Sequence, residues 1–255
     1  MAHEHAHGGH HDAAHAHWDT SVWPFVISFG ILFMLPIAFA FHFAYHMPFA
    51  AILSLGIGMP MIVAGIVGWV NEAHTQGEGL SYGAMGWFIL AEAMIFMSMF
   101  AGYWYMRLVA PVWPPAGTVE LPKVMPLVMT AVLVASSFTV HYAEHLLHEG
   151  DKSGYVKWLL ITIVLGACFL GMSAYEWNHL FHEGFSVKSN VFGTVFFSIT
   201  GLHGSHVIVG LCIFLAALKP ALSGALSMGF ARTAGLYWHF VDIIWFFVVS
   251  QVYYW

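Results

Sequence analysis

Seven long apolar segments, separated by short polar connections, organise this chain of 255 residues. They cover about Trp23–Tyr45, Phe49–Val70, Ser81–Val109, Pro122–Leu147, Tyr155–Trp177, Val191–Leu218 and Thr233–Trp255. A helix needs roughly 20 apolar residues to cross the hydrocarbon layer of a bilayer, and every segment reaches that length. The pattern therefore predicts seven membrane-spanning segments.

The segments are apolar on all sides and lack the strict alternation that is typical of strands. Backbone groups inside lipid must be hydrogen-bonded within the protein, and an α-helix achieves this within one segment. His46–Pro48 is the whole connection between the first two segments, so these should form a tight antiparallel hairpin. We predict an all-α, polytopic membrane protein with seven transmembrane helices.

Composition supports this prediction. The chain is 60% hydrophobic and 8% charged, whereas soluble domains carry about 25% charged residues. The formal net charge is −6 and no basic patch is visible, so no nucleic-acid partner is expected. Cys168 and Cys212 lie inside apolar segments, where we expect buried packing residues rather than a disulfide.

The N-terminal arm, residues 1–18, is polar and holds seven histidines: His3, His5, His7, His10, His11, His15 and His17. Such tracts can bind divalent metals, but a disordered arm without fixed geometry is the favoured interpretation. No cleavable signal peptide is predicted. The chain then divides into a helix pair, residues 19–79, and a five-helix bundle, residues 80–255.

Basic residues in the loops give a weak signal for orientation. With the N-terminus inside, the inner loops hold Lys152, Lys157, Lys219 and Arg232, and the outer loops hold Arg107, Lys123 and Lys188. Because basic residues concentrate on the inner side of a membrane, this distribution predicts that the N-terminus lies inside and the C-terminus outside.

Three carboxylates lie within or at the end of apolar segments. Glu92, near the middle of the third segment, is either a proton-holding group or a packing residue that hydrogen-bonds a neighbouring helix. Glu176, at the end of the fifth segment, is expected to have a structural role. Asp242 shares a helix face with His239 and must face protein rather than lipid.

Histidines raise the question of a metal site. His203 and His206 share a face of the sixth helix, where ligation of a metal or haem is one interpretation. Hydrogen bonding to Asp242, to Glu92 or to a lipid head group is the favoured one.

The end of the fourth segment has a histidine box, which consists of His141, Glu144, His145 and His148. It resembles the spacing of some zinc peptidases and of membrane di-iron oxygenases and desaturases, which are a rival interpretation. Topology argues against it, because His179 and His182 follow the fifth helix on the opposite side of roughly 30 Å of hydrocarbon.

Several motifs, in the order of the chain, resemble subunit III of the haem–copper terminal oxidases. They are Gly79-Leu80 with Tyr82-Gly83, Phe88–Glu92, Trp113–Pro115, Leu133–Ser136 followed by Ala143, His145, Glu149 and Gly150, then Thr200–Val207, and Tyr237–Asp242 with Trp245. The last of these is the strongest match. The resemblance extends from the first helix to the end of the chain.

This resemblance implies seven helices, the first two splayed from a five-helix bundle to enclose a cleft that holds phospholipid. It implies no metal, haem or copper in this chain, because haem and copper belong to partner subunits, with subunit I in direct contact and subunit II in the complex. The complex would oxidise cytochrome c, reduce oxygen and pump protons across a bacterial plasma or inner membrane. A quinol oxidase is the alternative.

Residue roles follow from the same resemblance. Glu92 is the carboxyl linked to proton or lipid function. The lipid-binding candidates are Trp69, Glu72, His206 and, more weakly, Lys219. The structural polar residues are His203, His239, Asp242, Glu176 and His145, of which the first three are expected to join the sixth and seventh helices. Ser173 departs from the family, because many relatives have glutamine there.

Overall fold

The computed structural model describes residues 22–75 and 82–254, without the side chains at positions 35, 43, 69–75 and 82–84. Every regular element in these ranges is helical, which confirms the all-α prediction. The helices are α1 (Trp23–Leu32), α2 (Pro48–Thr75), α3 (Tyr82–Val109), α4 (Val124–His148), α5 (Lys152–His182), α6 (Val191–Leu222) and α7 (Met228–Val248). The histidine-rich arm lies outside the described residues.

Six helices in the described ranges, α2 to α7, are long and apolar enough to cross a membrane. The first predicted segment is divided into the ten-residue α1 and two π-helical stretches, Phe33–Ile37 and Ala40–Ala44. Pro36 lies inside the first stretch, where its missing N–H interrupts regular α-helical hydrogen bonding.

The chain separates into two compact units, Met1–Glu78 and Gly79–Trp255. In the first unit, α1 packs against α2 through two glycines. A Cβ atom on Gly30 would lie 2.9 Å from the carbonyl oxygen of Gly58, and a Cβ on Gly58 would lie 2.6 Å from that of Gly30. Only residues without a side chain allow the two backbones to approach this closely.

In the second unit, α7 is the central helix. Its most apolar window is 67% buried, whereas the corresponding windows of α3 to α6 are 11–33% buried. A π-helical stretch, Val249–Tyr253, extends α7 at its C-terminal end. Polar groups on α7 therefore face other helices, as the cost of a carboxylate in lipid requires.

Trp238 of α7 fills the centre of the bundle and is fully buried. Its ring lies against Gly166 of α5 and Gly210 of α6, since a Cβ at either glycine would come within 2.7 Å of the indole. The indole N–H donates to the hydroxyl of Ser136 on α4 at 2.9 Å. One side chain thus contacts three neighbouring helices.

Three predictions about the helices are corrected. The fifth helix continues to His182, so His179 and His182 lie in its last turns rather than after it. Cys168 and Cys212 are exposed on the bundle surface rather than buried, because a segment that is apolar on all sides does not indicate which face turns inward. The seventh helix begins at Met228, five residues before the predicted start.

Candidate functional site

Glu92 of α3 and His206 of α6 form a hydrogen-bonded pair inside the second unit. The Nε2 atom of His206 lies 3.0 Å from the Oε2 atom of Glu92. Their side chains are only 12% and 20% exposed, respectively. From the sequence, Asp242, Glu92 and a lipid head group were the expected partners of the histidines in the sixth helix. In the structure, His206 hydrogen-bonds to Glu92.

The proton on this pair can be located by counting donors. The Nδ1 atom of His206 lies 2.8 Å from the carbonyl oxygen of Leu202, which can only accept, so Nδ1 must carry a hydrogen. The Nε2 atom then either accepts from a protonated Glu92 or donates to its carboxylate. In both cases one proton lies between the two side chains, and the pair has no net charge.

Apolar and aromatic groups surround the pair. The ring centroid of Phe96 lies 5.0 Å from that of His206, and Phe96 is buried. The hydroxyl of Tyr237, on α7, donates to the backbone carbonyl of His206 at 3.3 Å. Hydrogen bonds are electrostatically stronger in such surroundings than in water, so the pair is held in one arrangement by three helices.

A second polar cluster joins α4 and α7. The hydroxyl of Ser137 donates to Oδ2 of Asp242 and lies 3.0 Å from Nδ1 of His239. Because Ser137 has a single hydroxyl hydrogen, Nδ1 of His239 must be the donor to Ser137. The cluster is therefore a short chain of donors that ends at the Asp242 carboxyl.

Comparison with known proteins gives the family of this chain. Residues 11–255 match the family described as cytochrome c oxidase subunit III. The chain belongs to this family. Subunit 3 of Scyliorhinus canicula is 36% identical over 93% of this chain and 95% of its own length. Subunit 3 of Synechocystis is 34% identical over 76% of this chain and 87% of its own length. Subunit 3 of Mycosarcoma maydis is 32% identical over 92% of this chain and 92% of its own length.

Membership identifies the chain as an integral membrane subunit of an oxidase complex. Both polar clusters lie within the matched range, residues 11–255. One prediction from the resemblance is corrected. Asp242 and His239 hydrogen-bond to Ser137 of α4 and do not join α6 to α7. Helical spacing gives the face that a residue occupies, but not the helix that packs there.

His203 contacts α7 through ring packing. It is fully buried, its centroid lies 5.0 Å from that of Trp245, and Phe169 packs edge-on at 5.6 Å. Neither ring nitrogen has a hydrogen-bond partner among the described residues. A neutral imidazole has one donor and one acceptor to satisfy, so this subunit III buries two unsatisfied polar atoms here.

Glu176 is buried to the same degree as a core residue, with 3% of its surface exposed. The hydroxyl of Tyr253 donates to its Oε2 atom at 2.8 Å, and Oε1 has no partner in the described part of the chain. The structural role expected for Glu176 from the sequence stays a prediction.

The remaining predicted residues lie apart from these clusters. His145 is exposed and pairs with Glu149 at 3.4 Å, and Lys219 is exposed in the last turn of α6. Trp69 and Glu72 belong to α2, but their side chains lie outside the described residues. Within the described ranges, no three His, Cys, Asp or Glu side chains are grouped to hold a metal ion.

Sequence reasoning missed the hydroxyl partners. Ser137, Tyr237 and Tyr253 each hold a titratable residue or its backbone in place, yet none was a candidate. Serine and tyrosine are common in apolar helices, so only their position beside Asp242, His206 and Glu176 identifies them.

Proposed function

We propose that this subunit III supports proton uptake by the catalytic subunit of its oxidase, through the pair of Glu92 and His206. The observation that carries the proposal is the position of the His206 ring, which bonds to the carbonyl of Leu202 on one side and to Glu92 on the other. These two bonds require one proton between the side chains of Glu92 and His206.

The environment of the pair supports this role. The pair lies within two candidate membrane spans, Met85–Val109 and Val191–Leu222, where an ionisable group is usually functional. Glu92 keeps 20% of its side chain exposed, so a proton donor can reach it from outside the bundle. A fully enclosed pair would hold its proton but could not exchange it.

The test replaces Glu92 with glutamine in the complete oxidase. Glu92→Gln keeps the size of the side chain and a hydrogen-bonding oxygen, but an amide cannot release a proton. We expect an assembled complex with normal haem content, slower proton uptake and faster inactivation during turnover. Unchanged uptake and unchanged turnover lifetime would falsify the proton role.

Glu183→Gln is the matched control. The Oε1 atom of Glu183 lies 3.6 Å from the Nδ1 atom of His179 at the C-terminal end of α5. This pair has the same two residue types as the buried pair of Glu92 and His206. Both side chains are well exposed, at 57% for His179 and 40% for Glu183. We expect normal uptake and lifetime in this variant, because water can replace either partner.

The assembly is part of the same proposal. Subunit I is the direct neighbour, subunit II lies in the same complex, and these partners hold the haem and copper. The chain stabilises the catalytic subunit in a bacterial plasma or inner membrane, with its N-terminus inside and C-terminus outside. Its parts are the arm at residues 1–18, a splayed helix pair at 19–79 and a five-helix bundle at 80–255, with seven spans in total. Haem a-type absorption in a detergent pull-down of the tagged chain tests the partners.

Phospholipid binding is a separate element of the proposal, with Trp69, Glu72, His206 and Lys219 as candidates. His206 could bind a head group only by giving up a bond, since both of its ring nitrogens are engaged. Lys219 is an exposed cation and suits a phosphate better. Lipid extracted from a Lys219→Ala complex should therefore be reduced in amount, with an unchanged amount in Lys157→Ala.

A further inference from the structure

A cavity of about 410 Å³ lies between α5 and α6 and is bounded by Trp245 and Tyr253 at the C-terminal end of α7. It is distinct from the Glu92 and His206 pair, neither of which lines it. Small ligand sites usually have volumes of 300–1,000 Å³, so the cavity is large enough for part of a lipid-sized molecule.

Small residues create this space. Ser173 and Ala174 of α5 face Gly201 and Gly204 of α6 across the cavity. A Cβ atom built on Gly204 would have no atom within 4 Å. The glycine therefore does not serve close helix packing, and its missing side chain leaves room that an occupant could use.

Glu176 supplies a polar anchor at the cavity wall. It lines the cavity, is 3% exposed, and has an Oε1 atom without a partner among the described residues. The Oε2 atom is already bonded to Tyr253. A buried carboxyl oxygen without a hydrogen bond is unfavourable. Because Oε1 is itself covered, an occupant reaches it when the carboxyl turns slightly toward the cavity, and the new hydrogen bond would then stabilise both.

The polar lining of the cavity is sparse. The hydroxyls of Thr200 and Ser205 already donate to the backbone carbonyls of Phe196 and Leu202 on their own helix, at 2.7 and 2.6 Å, so toward an occupant they can only accept. Most of the remaining lining is apolar. An occupant with an apolar body and one polar end fits this lining.

The polar end should be a hydroxyl. A hydroxyl can donate to an ionised carboxylate and can accept from a protonated one, so it satisfies Oε1 in either state. An anionic phosphate would be repelled by an ionised Glu176, and no lysine or arginine lines the cavity to offset this. We propose that the cavity binds the hydroxyl end of a neutral long-chain lipid alcohol.

The test uses the complete oxidase complex and a hexadecanol that carries a photoreactive diazirine in its chain. The same chain with the diazirine but without the hydroxyl can neither donate nor accept a hydrogen bond, and this hydrocarbon serves as the chemical control. One hydrogen bond changes binding by about fivefold, so the alcohol should label peptides of α5 and α6 about five times more than the hydrocarbon does.

Two glycine variants locate the binding. Gly204→Leu fills the cavity without a clash at Cβ, and should lower labelling by the alcohol to the level of the hydrocarbon. Gly171→Leu is the matched control, because a Cβ there also meets no atom within 4 Å but the residue does not line the cavity. The alcohol should label this variant to the same extent as the unchanged protein.

A third variant removes the anchor. Glu176→Leu should abolish the difference between the alcohol and the hydrocarbon, whereas Glu176→Gln, which keeps a hydrogen-bonding oxygen, should retain part of it. If Glu176→Leu does not assemble, the probe pair and Gly204→Leu still decide the question.

Three outcomes would overturn the proposal: equal labelling by the two probes, full labelling of Gly204→Leu, or no labelling above that of other lipid-facing peptides. The last outcome would mean that the cavity does not bind a lipid alcohol. None of these outcomes affects the proton role of Glu92, which is measured by proton uptake. If the alcohol binds, the lipids extracted from the unchanged complex are compared with those from the Gly204→Leu complex. The lipid that is lost in the variant shows whether the native occupant is an acylglycerol or an isoprenoid alcohol.

Discussion

The two sides of α7 differ in how their polar groups are satisfied. On the side of α4, the indole N–H groups of Trp238 and Trp245 donate to Ser136 and Thr130, at 2.9 and 3.0 Å. On the side of α6, His203 is buried with both nitrogens unsatisfied within the described ranges. The first interface is thus arranged for stability, and the second retains unused hydrogen-bonding capacity.

The two carboxyls beside α7 are alike in their bonds and differ in their surroundings. Asp242 and Glu176 each have one oxygen bonded to a hydroxyl and one oxygen without a described partner. Only Glu176 lines a cavity. The following substitutions test the difference between the two sides of α7, beginning with the largest expected effect.

Trp238→Ala should destabilise the subunit most. It removes a fully buried indole that contacts α4, α5 and α6, and a buried tryptophan replaced by alanine costs about 3–5 kcal/mol. We expect the subunit to dissociate from the complex at a clearly lower temperature. Trp87→Ala is the control, since Trp87 is 74% exposed on α3. Equal losses in the two variants would contradict a central role for Trp238.

Ser137→Ala should have the next largest effect. It leaves the Oδ2 atom of Asp242 and the Nδ1 atom of His239 without their shared partner, which costs about 1–3 kcal/mol for a buried polar group. Thermal dissociation of the subunit measures this loss. In the control, Ser98→Ala, the lost hydroxyl bonds only to a carbonyl of its own helix, so little change is expected. A stable Ser137→Ala variant would mean that water replaces the serine.

His203→Phe should change stability in the opposite direction. Phenylalanine keeps an aromatic ring against Trp245 and removes two unsatisfied nitrogens, so we expect a gain of up to about 1 kcal/mol. His239→Phe, which breaks a hydrogen bond to Ser137, should be destabilising in the same assay. If both variants lose stability equally, then His203 has a partner in the assembled oxidase, and the contrast between the two sides of α7 fails.

Glu183→Gln should have the smallest effect on stability. Exposed ion pairs contribute about 0–1 kcal/mol, and Glu183 and His179 are both well exposed. We expect the dissociation temperature to stay within the error of the unchanged complex. A large loss would indicate that a partner subunit covers this pair in the assembled oxidase.

Much of the fold could be predicted from the sequence, because the cost of polar groups in lipid acts on every residue of a span. It makes the helices long, apolar and recognisable, and it correctly places Asp242 on a face that contacts protein. The same uniform apolarity hides which face turns inward. For this reason Cys168 and Cys212 were expected in the core but lie on the surface.

The site could be predicted only in part. The candidates Glu92, His206 and Asp242 could be selected from the sequence, because each is expensive in hydrocarbon and must have a role. Their partners could not be selected, since a hydrogen bond between α3 and α6 joins residues 114 positions apart. No local pattern connects such distant positions without knowledge of how the helices pack.

The sequence by itself determined that this chain is helical, lies in a membrane, and belongs to one family of oxidase subunits, which it matches over residues 11–255. The tertiary structure alone decided which helix occupies the centre, that Glu92 and His206 are hydrogen-bonded partners, and that one carboxyl oxygen of Glu176 has no partner among the described residues. The physical reason is that solvent preference acts on each residue separately. Hydrogen bonds and cavities, in contrast, depend on side chains that meet only after the helices have packed.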